Sequence, residues 1–304
     1  MKGYKALDQT MRAIDGNGMQ FEMGETYSVE GEVVLCENGF HFCERIEDLN
    51  RYNNIKDSRI FEVETGGKIK SDGMQYVAQK IRLVREITKQ EINDYFKKNW
   101  ESLIKSEDDD VKRAVARQGY GLDTLVHDRS YDVRLAVAEY GYGLDILVHD
   151  RDDDVRVAVA EQGYGLDILI HDKAGKVRRV VARAGYGLDI LAGDEDCCVR
   201  QAVAEQGYGL DILVSDECWA VRYAVAEQGY GLDILVHDIS WYVRSAVAEQ
   251  HYGLNILVHD GSWQVREEVA RQGYGLDILI GDECEFVRQA AEEASQRNKA
   301  YEML

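Results

Sequence analysis

The stretch VRYAVAEQGYGLDILVHDISWY, residues 221–242, is followed directly by VRSAVAEQHYGLNILVHDGSWQ, residues 243–264, which is a near copy of it. Copies with the same 22-residue period begin at Val111 and continue without insertion to residue 286, which makes eight repeats. A degenerate ninth copy begins at Val287. A short fixed period is the signature of a solenoid, in which each unit packs against its neighbours. The sequence therefore predicts an all-α array of stacked repeats.

Each repeat reads as two short helices joined by a glycine turn. With Val221 as position 1, apolar residues at positions 1, 4 and 5 fall on one face of the first helix. Gly229 is placed to end that helix, and Gly231 suits a tight turn with positive φ or a close backbone approach. Positions 12, 15 and 16 form a second apolar face on a segment of one or two turns, α or 3₁₀. Neither helix buries its face alone, so stacking must supply the core.

An aspartate at position 18 of every repeat is followed six residues later by an arginine. An aspartate at this place can accept hydrogen bonds from the free amides of the next helix. We expect a structural ladder in which each aspartate bonds helix amides and a neighbouring arginine. The pairs are Asp128/Arg134, Asp150/Arg156, Asp172/Arg178, Asp194/Arg200, Asp216/Arg222, Asp238/Arg244, Asp260/Arg266 and Asp282/Arg288.

The run D-x-x-x-x-VR-x-AVA, followed by a short L-x-x-L segment, resembles the leucine-rich repeat variant family. Its aspartate-to-arginine spacing is also similar to that of HEAT repeats. The resemblance covers residues 111–290 and implies a right-handed superhelix in which an α-helix alternates with a 3₁₀ helix. Some relatives hold an iron–sulfur cluster in an N-terminal cysteine-rich segment. This sequence has no such segment, so we expect no cofactor.

The repeats differ from one another at position 3 and at positions 19–22. Position 21 is tryptophan in three consecutive repeats. Exposed aromatic rings at regular spacing are typical of protein-binding surfaces, whereas the alternative is that the rings pack on the preceding repeat. The candidate partner-binding residues are Tyr131, Trp219, Tyr223, Trp241, Tyr242, Trp263 and Phe286.

Three further columns recur at fixed positions in the repeats. The tyrosines at position 10, such as Tyr230, predict a packing ladder. The histidines at position 17, such as His237, lie too far apart in successive helices to share a metal ion, so we expect them to be solvated. The acidic residues at positions 7 and 13, such as Glu227 and Asp233, predict an acidic surface stripe.

The formal net charge is −20, and residues 101–304 carry 21 basic and 39 acidic residues. Such a surface repels phosphate, so we expect no direct nucleic-acid binding, and it would suit a basic protein partner. An acidic inhibitor that mimics DNA is a lesser alternative. No apolar run is long enough to span a bilayer and the N-terminus has no apolar signal region, so we predict a cytoplasmic protein with reduced cysteines.

The first hundred residues predict a separate α+β domain. The stretches KGYKALD, FEMGETYSV, EVVLCENGFHFC, RIFEVET and MQYVAQKIRLVREI read as strands, and RIEDLNRYN reads as a helix. Thr88 and Glu91 form a capping box for the next helix. The predicted domains are an α+β head at residues 1–88, a linker helix and cap at 89–110, the repeats at 111–286, and a cap helix at 287–304.

The head contains Cys36, His41 and Cys43 in one short stretch. Their spacing is not that of a standard zinc site, and a half-buried strand with inward cysteines explains them more simply, so we expect no metal. The segment from residue 2 to 92 resembles an uncharacterised domain common in bacteriophage and prophage proteins, which implies a mobile-element origin.

The head is more distantly similar to ADP-ribosyltransferase-like folds. That resemblance implies an NAD-binding and catalytic set drawn from Tyr27, His41, and Glu62 or Glu64. No P-loop, dinucleotide fingerprint or Ser-His-Asp arrangement is visible in the sequence. The leading hypothesis is therefore a non-enzymatic scaffold that binds a protein partner through its acidic, aromatic-edged repeats. The alternative is a nucleotide-acting head that the repeats direct to a target.

Overall fold

The computed structural model describes residues 1–14, 18–35, 37–51, 57–73 and 75–302. The chain divides into two compact units, Met1–Leu147 and Val148–Leu304. The first unit contains an antiparallel sheet and the repeat helices up to Leu147, and the second contains the repeat helices from Asp153 onward. This arrangement confirms the predicted fold class, an α+β region followed by a helical-repeat solenoid. The predicted domain bounds and the handedness of the superhelix stay predictions.

Among the described residues of the head, five antiparallel strands form a sheet. Its order is β1-β4-β5-β2, and β3 pairs with β5 as well. Leu7, Phe61, Val63 and Leu83 lie in its core and are fully buried. Two of the predicted strands, residues 21–29 and 32–43, are much shorter than the sequence suggested, because only three residues near the C-terminal end of each pair with β5. The strands are β1 Lys2–Leu7, β2 Thr26–Ser28, β3 Phe40–Phe42, β4 Arg59–Ser71 and β5 Tyr76–Ile87.

The helix predicted after β3 is a single short 3₁₀ helix, Glu47–Arg51. Tyr52 and Asn53, the end of the predicted segment, lie outside the described residues. The predicted capping box is present at the start of α1, Lys89–Leu103. The Thr88 hydroxyl accepts the amide of Glu91, and the Glu91 carboxylate accepts the amide of Thr88.

The first repeat is preceded by half a repeat, WESLIKS, whose last residue is serine instead of aspartate. The Ser106 hydroxyl accepts the amide of Asp108 at 3.1 Å. The Asp128 carboxylate accepts the amide of Ser130 in the same way at 2.9 Å. Asp108 and Ser130 are the N-cap residues of the helices that follow, so Ser106 holds the cap residue of the first repeat helix in the manner that Asp128 holds that of the next.

Each repeat folds into a long helix that starts at position 21 and a short helix over positions 12–15. In the second unit, each long helix from α8 onward packs against the next long helix. In the first unit the repeat helices are α2 Asp109–Arg117, α3 Leu122–Leu125, α4 Tyr131–Tyr140 and α5 Leu144–Leu147. In the second unit the long helices are α6 Asp153–Glu161, α8 Gly175–Arg183, α10 Cys197–Glu205, α12 Trp219–Glu227, α14 Trp241–Glu249, α16 Trp263–Arg271 and α18 Glu285–Glu302. The short helices between them are α7 Leu166–Leu169, α9 Leu188–Leu191, α11 Leu210–Leu213, α13 Leu232–Leu235, α15 Leu254–Leu257 and α17 Leu276–Leu279.

Within each unit the core consists of the same positions in successive repeats. Val221, Val225 and Leu235 are at most 1% exposed. Burial of one such side chain contributes about 1.5–3 kcal/mol. The leucines at position 15 of the other repeats are equally buried: Leu125, Leu147, Leu169, Leu191, Leu213, Leu257 and Leu279. The framework residues are therefore those that the stacking of small units requires.

The short helix is a single α turn. The amide of Leu235 donates to the carbonyl of Gly231, four residues back, at 2.9 Å. Bonds that span three residues lie at its two ends: the amide of Ile234 donates to Gly231 at the start, and the amides of His237 and Asp238 donate to Ile234 and Leu235 at the end. The 3₁₀ helix that the family resemblance implied is thus replaced here by an α turn with 3₁₀ ends.

Gly231 meets both of the requirements considered for it. Its φ is +60°, in the left-handed region that favours glycine. A Cβ atom at this place would lie 2.5 Å from Cγ2 of Val214, in the preceding repeat. The glycine thus allows both the turn and the close approach of successive repeats.

Candidate functional site

The variable positions of the repeats lie at the starts of the long helices. Positions 21 and 22 are the first two residues of each long helix, and positions 19 and 20 form the loop before it. Trp219, Trp241 and Trp263 open α12, α14 and α16. Because these helices pack side by side, the variable residues of successive repeats lie along one edge.

Aromatic rings on this edge stack in two groups. Tyr242 stacks on Trp241 at 3.7 Å and on Trp219 at 4.6 Å between ring centroids. Trp263 stacks on Phe286 at 5.3 Å. In both groups a tryptophan at position 21 contacts the residue at position 22 of the following repeat. We call these five residues the aromatic edge.

The aromatic edge remains open to solvent despite the stacking. Trp219 is 45% exposed, Trp263 38%, Tyr242 44% and Phe286 60%, whereas Trp241 is partly buried between its neighbours. Large rings that are held in place and still exposed can contact a partner at low entropic cost. The rings therefore do not serve only to fill the core.

Two predicted binding residues lie apart from the aromatic edge. Tyr131 is exposed and opens α4 in the first unit. Tyr223 is partly buried, and its hydroxyl lies near carboxylates. Burial and the neighbouring Glu227 and Glu249 raise the pKa of Tyr223 to about 12. Tyr223 therefore belongs with the acidic residues at position 7.

Exposed carboxylates occupy the loops before the aromatic residues. The side chains of Glu217 and Glu283 are 90% and 88% exposed. Glu217 precedes Trp219 by two residues, and Glu283 precedes Phe286 by three. Ile239, at the same position in the repeat after that of Glu217, is 93% exposed. The loops beside the rings thus present negative charge together with one large apolar side chain.

The arginine and aspartate ladder is formed within and between repeats. Arg156 donates from Nε and Nη2 to both carboxylate oxygens of Asp172, sixteen residues later, at 2.5 and 2.8 Å. Its Nη1 donates to the main-chain carbonyl of Asp150, in the preceding repeat, at 2.7 Å. The same set of bonds recurs for Arg178, Arg200, Arg222, Arg244 and Arg266, while Lys112 pairs with Asp128 in the first repeat.

The contacts of the ladder differ from the six-residue pairing read from the sequence. The arginine six residues after an aspartate, as in Asp216/Arg222, bonds the aspartate's carbonyl. The carboxylate of Asp216 instead binds Arg200 and accepts the amide of Cys218. The role of the ladder is structural, because it joins each repeat to the one before it.

The first and last of the predicted pairs require the same correction. Arg134 donates from Nη1 to the main-chain carbonyl of Asp128 at 2.8 Å, and Arg288 donates from Nη1 to that of Asp282 at 2.6 Å. The carboxylates of these two aspartates bind the basic side chains sixteen residues earlier. The spacing along the chain identified the right residues but not their contacts. The side-chain carboxylate of each aspartate binds the basic residue in the long helix of its own repeat. The main-chain carbonyl of the same aspartate binds the arginine of the next repeat.

The carboxylates of the ladder are held in their charged form. Hydrogen bonds from Arg266 are the largest influence on Asp282, and they keep its pKa below the ordinary value. Burial is the largest influence on Asp194 and acts to raise its pKa. Hydrogen bonds from Arg178 and from the amide of Asp196 outweigh it, so that the pKa of Asp194 is lowered as well.

The remaining columns differ in their degree of exposure. The histidines at position 17, such as His237, are exposed, as expected for solvated side chains. The aspartates at position 13, such as Asp233, are exposed and supply the acidic stripe. The tyrosines at position 10 are only partly covered, and Tyr230 is 42% exposed. They do not form the fully packed ladder that the sequence suggested.

The sequence reading missed a column of exposed isoleucines at position 14. Ile212, the most exposed of them, is 68% exposed, and Ile234 is 55% exposed. The signal was present, since isoleucine recurs at this position from the second repeat to the eighth. The complete column is Ile146, Ile168, Ile190, Ile212, Ile234, Ile256 and Ile278.

Two of the proposed transferase residues, Tyr27 and His41, lie apart on the sheet of the head. His41 pairs with Val77 of β5, and Tyr27 pairs with Ile81 of the same strand. Four residues of strand separate the two positions by about 13 Å. The Tyr27 hydroxyl accepts the amide of Glu22 at 2.8 Å.

The two glutamates proposed for the transferase site form ion pairs with basic residues of the sheet. Glu62 pairs with Arg85 at 3.0 Å, and Glu64 lies 3.8 Å from Arg82. These ion pairs lie on the paired strands β4 and β5. Tyr27, Glu62 and Glu64 therefore each have a separate side-chain partner in the described part of the head.

The possible zinc ligands of the head are described only in part. Cys36 lies outside the described residues. Cys43 is 2% exposed, and its backbone forms an isolated β-bridge with that of Tyr4 in β1. His41 is partly buried on β3. The buried Cys43 fits the interpretation of a strand with an inward cysteine.

Comparison with known proteins finds a match for each of the two parts of the chain. Residues 1–94 match a family described as a domain of unknown function, DUF7666. The chain is also similar to a solved structure described as a leucine-rich repeat variant with a novel repetitive structural motif. The match has 27% sequence identity and a TM-score of 0.50, and it covers 63% of this chain and 88% of that one. No protein with a curated description matches the chain. The resemblance to leucine-rich repeat variants is thus confirmed, and the phage origin stays a prediction.

None of the helices in the described part of the chain combines the length and the hydrophobicity needed to cross a membrane.

Proposed function

We propose that this protein is a non-enzymatic scaffold that binds a protein partner through the aromatic edge of its repeats. The observation that carries the proposal is the stack of Trp219, Tyr242 and Trp241, which remains open to solvent at the variable positions of the array. Clustered, partly exposed tryptophan and tyrosine rings are the residues that most often dominate protein–protein binding energy. The cytoplasmic location and the mobile-element origin stay predictions.

The partner that fits this surface is a basic segment that contains arginine. Aromatic faces attract guanidinium groups, and the exposed carboxylates of Glu217 and Glu283 lie in the loops before the rings. An arginine side chain can therefore stack on a ring while it pairs with a nearby carboxylate. The excess of acidic residues over the repeats favours the approach of such a partner.

The tryptophans of the repeats allow partner binding to be measured by fluorescence. The chain has four tryptophans, and three of them belong to the aromatic edge. We expect an arginine-rich probe peptide to change the tryptophan fluorescence of the full chain, and a glutamate-rich peptide of the same length to leave it unchanged. Raising the salt concentration should weaken binding, because the attraction between exposed charges is screened.

A comparison of two variants tests which surface binds. Proteins captured from native host lysate, and the arginine-rich peptide, should bind the double variant Trp219→Ala/Tyr242→Ala roughly thirtyfold more weakly, the loss expected for a hot-spot residue. The matched control, Ile212→Ala/Ile234→Ala, removes exposed apolar side chains from the other column. If the control abolishes binding and the aromatic variant retains it, the aromatic edge is not the site.

A further inference from the structure

Three of the six cysteines meet where the fourth and fifth repeats join. Cys197 and Cys198 are the first two residues of α10, and Cys218 immediately precedes α12. The two helices pack against each other, so their starts lie side by side. Cys197 and Cys218 are 21 residues apart, one fewer than the repeat length, so they occupy neighbouring positions, 21 and 20, of adjacent repeats.

Four potential ligands lie in this cluster, which we call the thiol cluster: Asp196, Cys197, Cys198 and Cys218. One ligand atom from each of the first three lies within 4.8 Å of the others. The Cys218 thiol is in hydrogen-bonding contact with the Cys197 thiol. Cys198 is exposed and the other two thiols are partly exposed, so an ion can reach the cluster from solvent.

The contact between the Cys197 and Cys218 thiols joins the starts of two packed helices, so one ion could contact both sulfur atoms. Thiols that coordinate a cation lose their protons, and the sulfur ligands are then thiolates.

The repeat framework does not require cysteines at these positions. In the sixth repeat the corresponding residues are Ser240, Trp241 and Tyr242, and the long helix starts in the same way. Cys284 occupies the place of Cys218 in the last repeat, but the residue there that corresponds to Cys197 is Trp263. The chain thus contains a natural comparison, a single cysteine in the same local fold.

We propose that the thiol cluster is a binding site for a thiophilic divalent cation of the Zn²⁺ type. Three thiolates and one carboxylate supply the four ligands that zinc takes in tetrahedral sites. Binding in this form releases one proton from each of the three thiols and none from the carboxylate, which is already ionised at neutral pH. The ion would link the fourth repeat to the fifth.

Cobalt(II) is a suitable probe, because tetrahedral cobalt–thiolate complexes absorb in the visible range. The full-length protein, reduced and free of metal, should develop this absorption with one equivalent of Co²⁺ and lose it when Zn²⁺ is added. Proton release into weakly buffered solution should accompany Zn²⁺ binding. We expect Cys197→Ser and Cys218→Ser to weaken Zn²⁺ binding by more than about tenfold, since even changes outside the ligand set reach that size.

Three matched variants identify the site. Cys284→Ser changes the equivalent single cysteine and should bind as the wild type does. Cys36→Ser/Cys43→Ser tests the head, and loss of the cobalt absorption in that variant would overturn the proposal. Asp196→Asn keeps a residue able to cap α10, so weaker binding in a folded variant reports the missing ligand. A reduced wild-type protein that shows no thiolate absorption with Co²⁺ would also overturn it.

Discussion

The guanidinium group of Arg222 joins two repeats. It donates two hydrogen bonds to the carboxylate of Asp238 in its own repeat and a third, at 2.7 Å, to the main-chain carbonyl of Asp216 in the preceding repeat. A planar guanidinium with five donors is suited to this geometry, whereas a lysine ammonium is not. Each repeat is therefore bound to the previous one through the same polar contact as well as through its apolar core.

Asp238→Ala should destabilise the repeats by about 3–5 kcal/mol, because it leaves a mostly buried guanidinium without its partner. Urea unfolding followed by circular dichroism measures the change. The control is Glu217→Ala, which removes an exposed carboxylate 3.6 Å from Arg200. We expect that control to change the unfolding free energy by less than about 0.5 kcal/mol. Equal effects of the two substitutions would show that the ladder contributes little.

The ladder also predicts a dependence of stability on pH. The pKa of Asp282 is lowered in the folded chain, first by hydrogen bonds from Arg266, so the unfolded chain binds more protons in acid. The stability that this carboxylate provides is complete above its unfolded pKa, near 3.8, and is lost as pH falls through the lower folded pKa. The difference in unfolding free energy between wild type and Asp282→Asn should therefore shrink as pH falls below about 4. A difference that does not vary with pH would contradict this prediction.

Glycine at position 11 should tolerate alanine to different degrees in different repeats. Gly231→Ala and Gly209→Ala both place a side chain at positive φ, which costs about 1–2 kcal/mol. The new Cβ lies 2.5 Å from Val214 in the first case and 3.4 Å from Ala192 in the second. Gly231→Ala should therefore cost a further 1–3 kcal/mol, roughly, for overpacking.

Thermal unfolding of the two alanine variants measures this difference. Gly261→Ala is the control, because a Cβ atom at this place would have nothing within 4 Å and the φ of Gly261 is not in the left-handed region. A second substitution, Val214→Ala, should relieve the steric part in the Gly231→Ala background. If Gly209→Ala were as harmful as Gly231→Ala, the contact with Val214 would not be the cause.

His251 occupies a place that glycine holds in most repeats. Its φ is +56°, whereas Gly229, at the same position one repeat earlier, has a φ of +70°. His251→Gly should therefore stabilise the protein by up to about 1 kcal/mol, because it removes the backbone strain of a side chain at positive φ. The greater freedom of glycine in the unfolded chain offsets part of this gain. The reverse change, Gly229→His, should destabilise it, and both can be measured by the shift in Tm. A loss of stability in His251→Gly would indicate that the histidine makes a compensating contact.

The periodic part of the fold could be predicted from the sequence because each framework residue has the same surroundings in every repeat. Val221, Gly231 and Leu235 have the burial and backbone geometry that their positions indicated. The contacts between repeats could not be predicted in the same way. The stacking of Trp219 on Tyr242 depends on how far one helix start is displaced from the next, which no local pattern encodes.

The length of the short helix explains why the isoleucines at position 14 are exposed. A single turn over Leu232–Leu235 has room to bury Leu235 but leaves Ile234 facing outward. An apolar residue in an apolar segment is naturally read as core, so the exposure of Ile234 follows only from the helix length. In the head, the strands around Tyr27 and His41 were overestimated because alternating apolar residues continue beyond the few residues that pair with β5.

The bonds of Arg222 have a consequence for the evolution of the array. Because every arginine of this kind engages one aspartate of its own block and the carbonyl of the block before it, removal of one whole block joins two ends that already fit. Duplication of a block creates a junction of the same kind. The gene can therefore lengthen or shorten this protein by whole blocks through recombination, and each event adds or removes one set of variable residues while the scaffold stays intact.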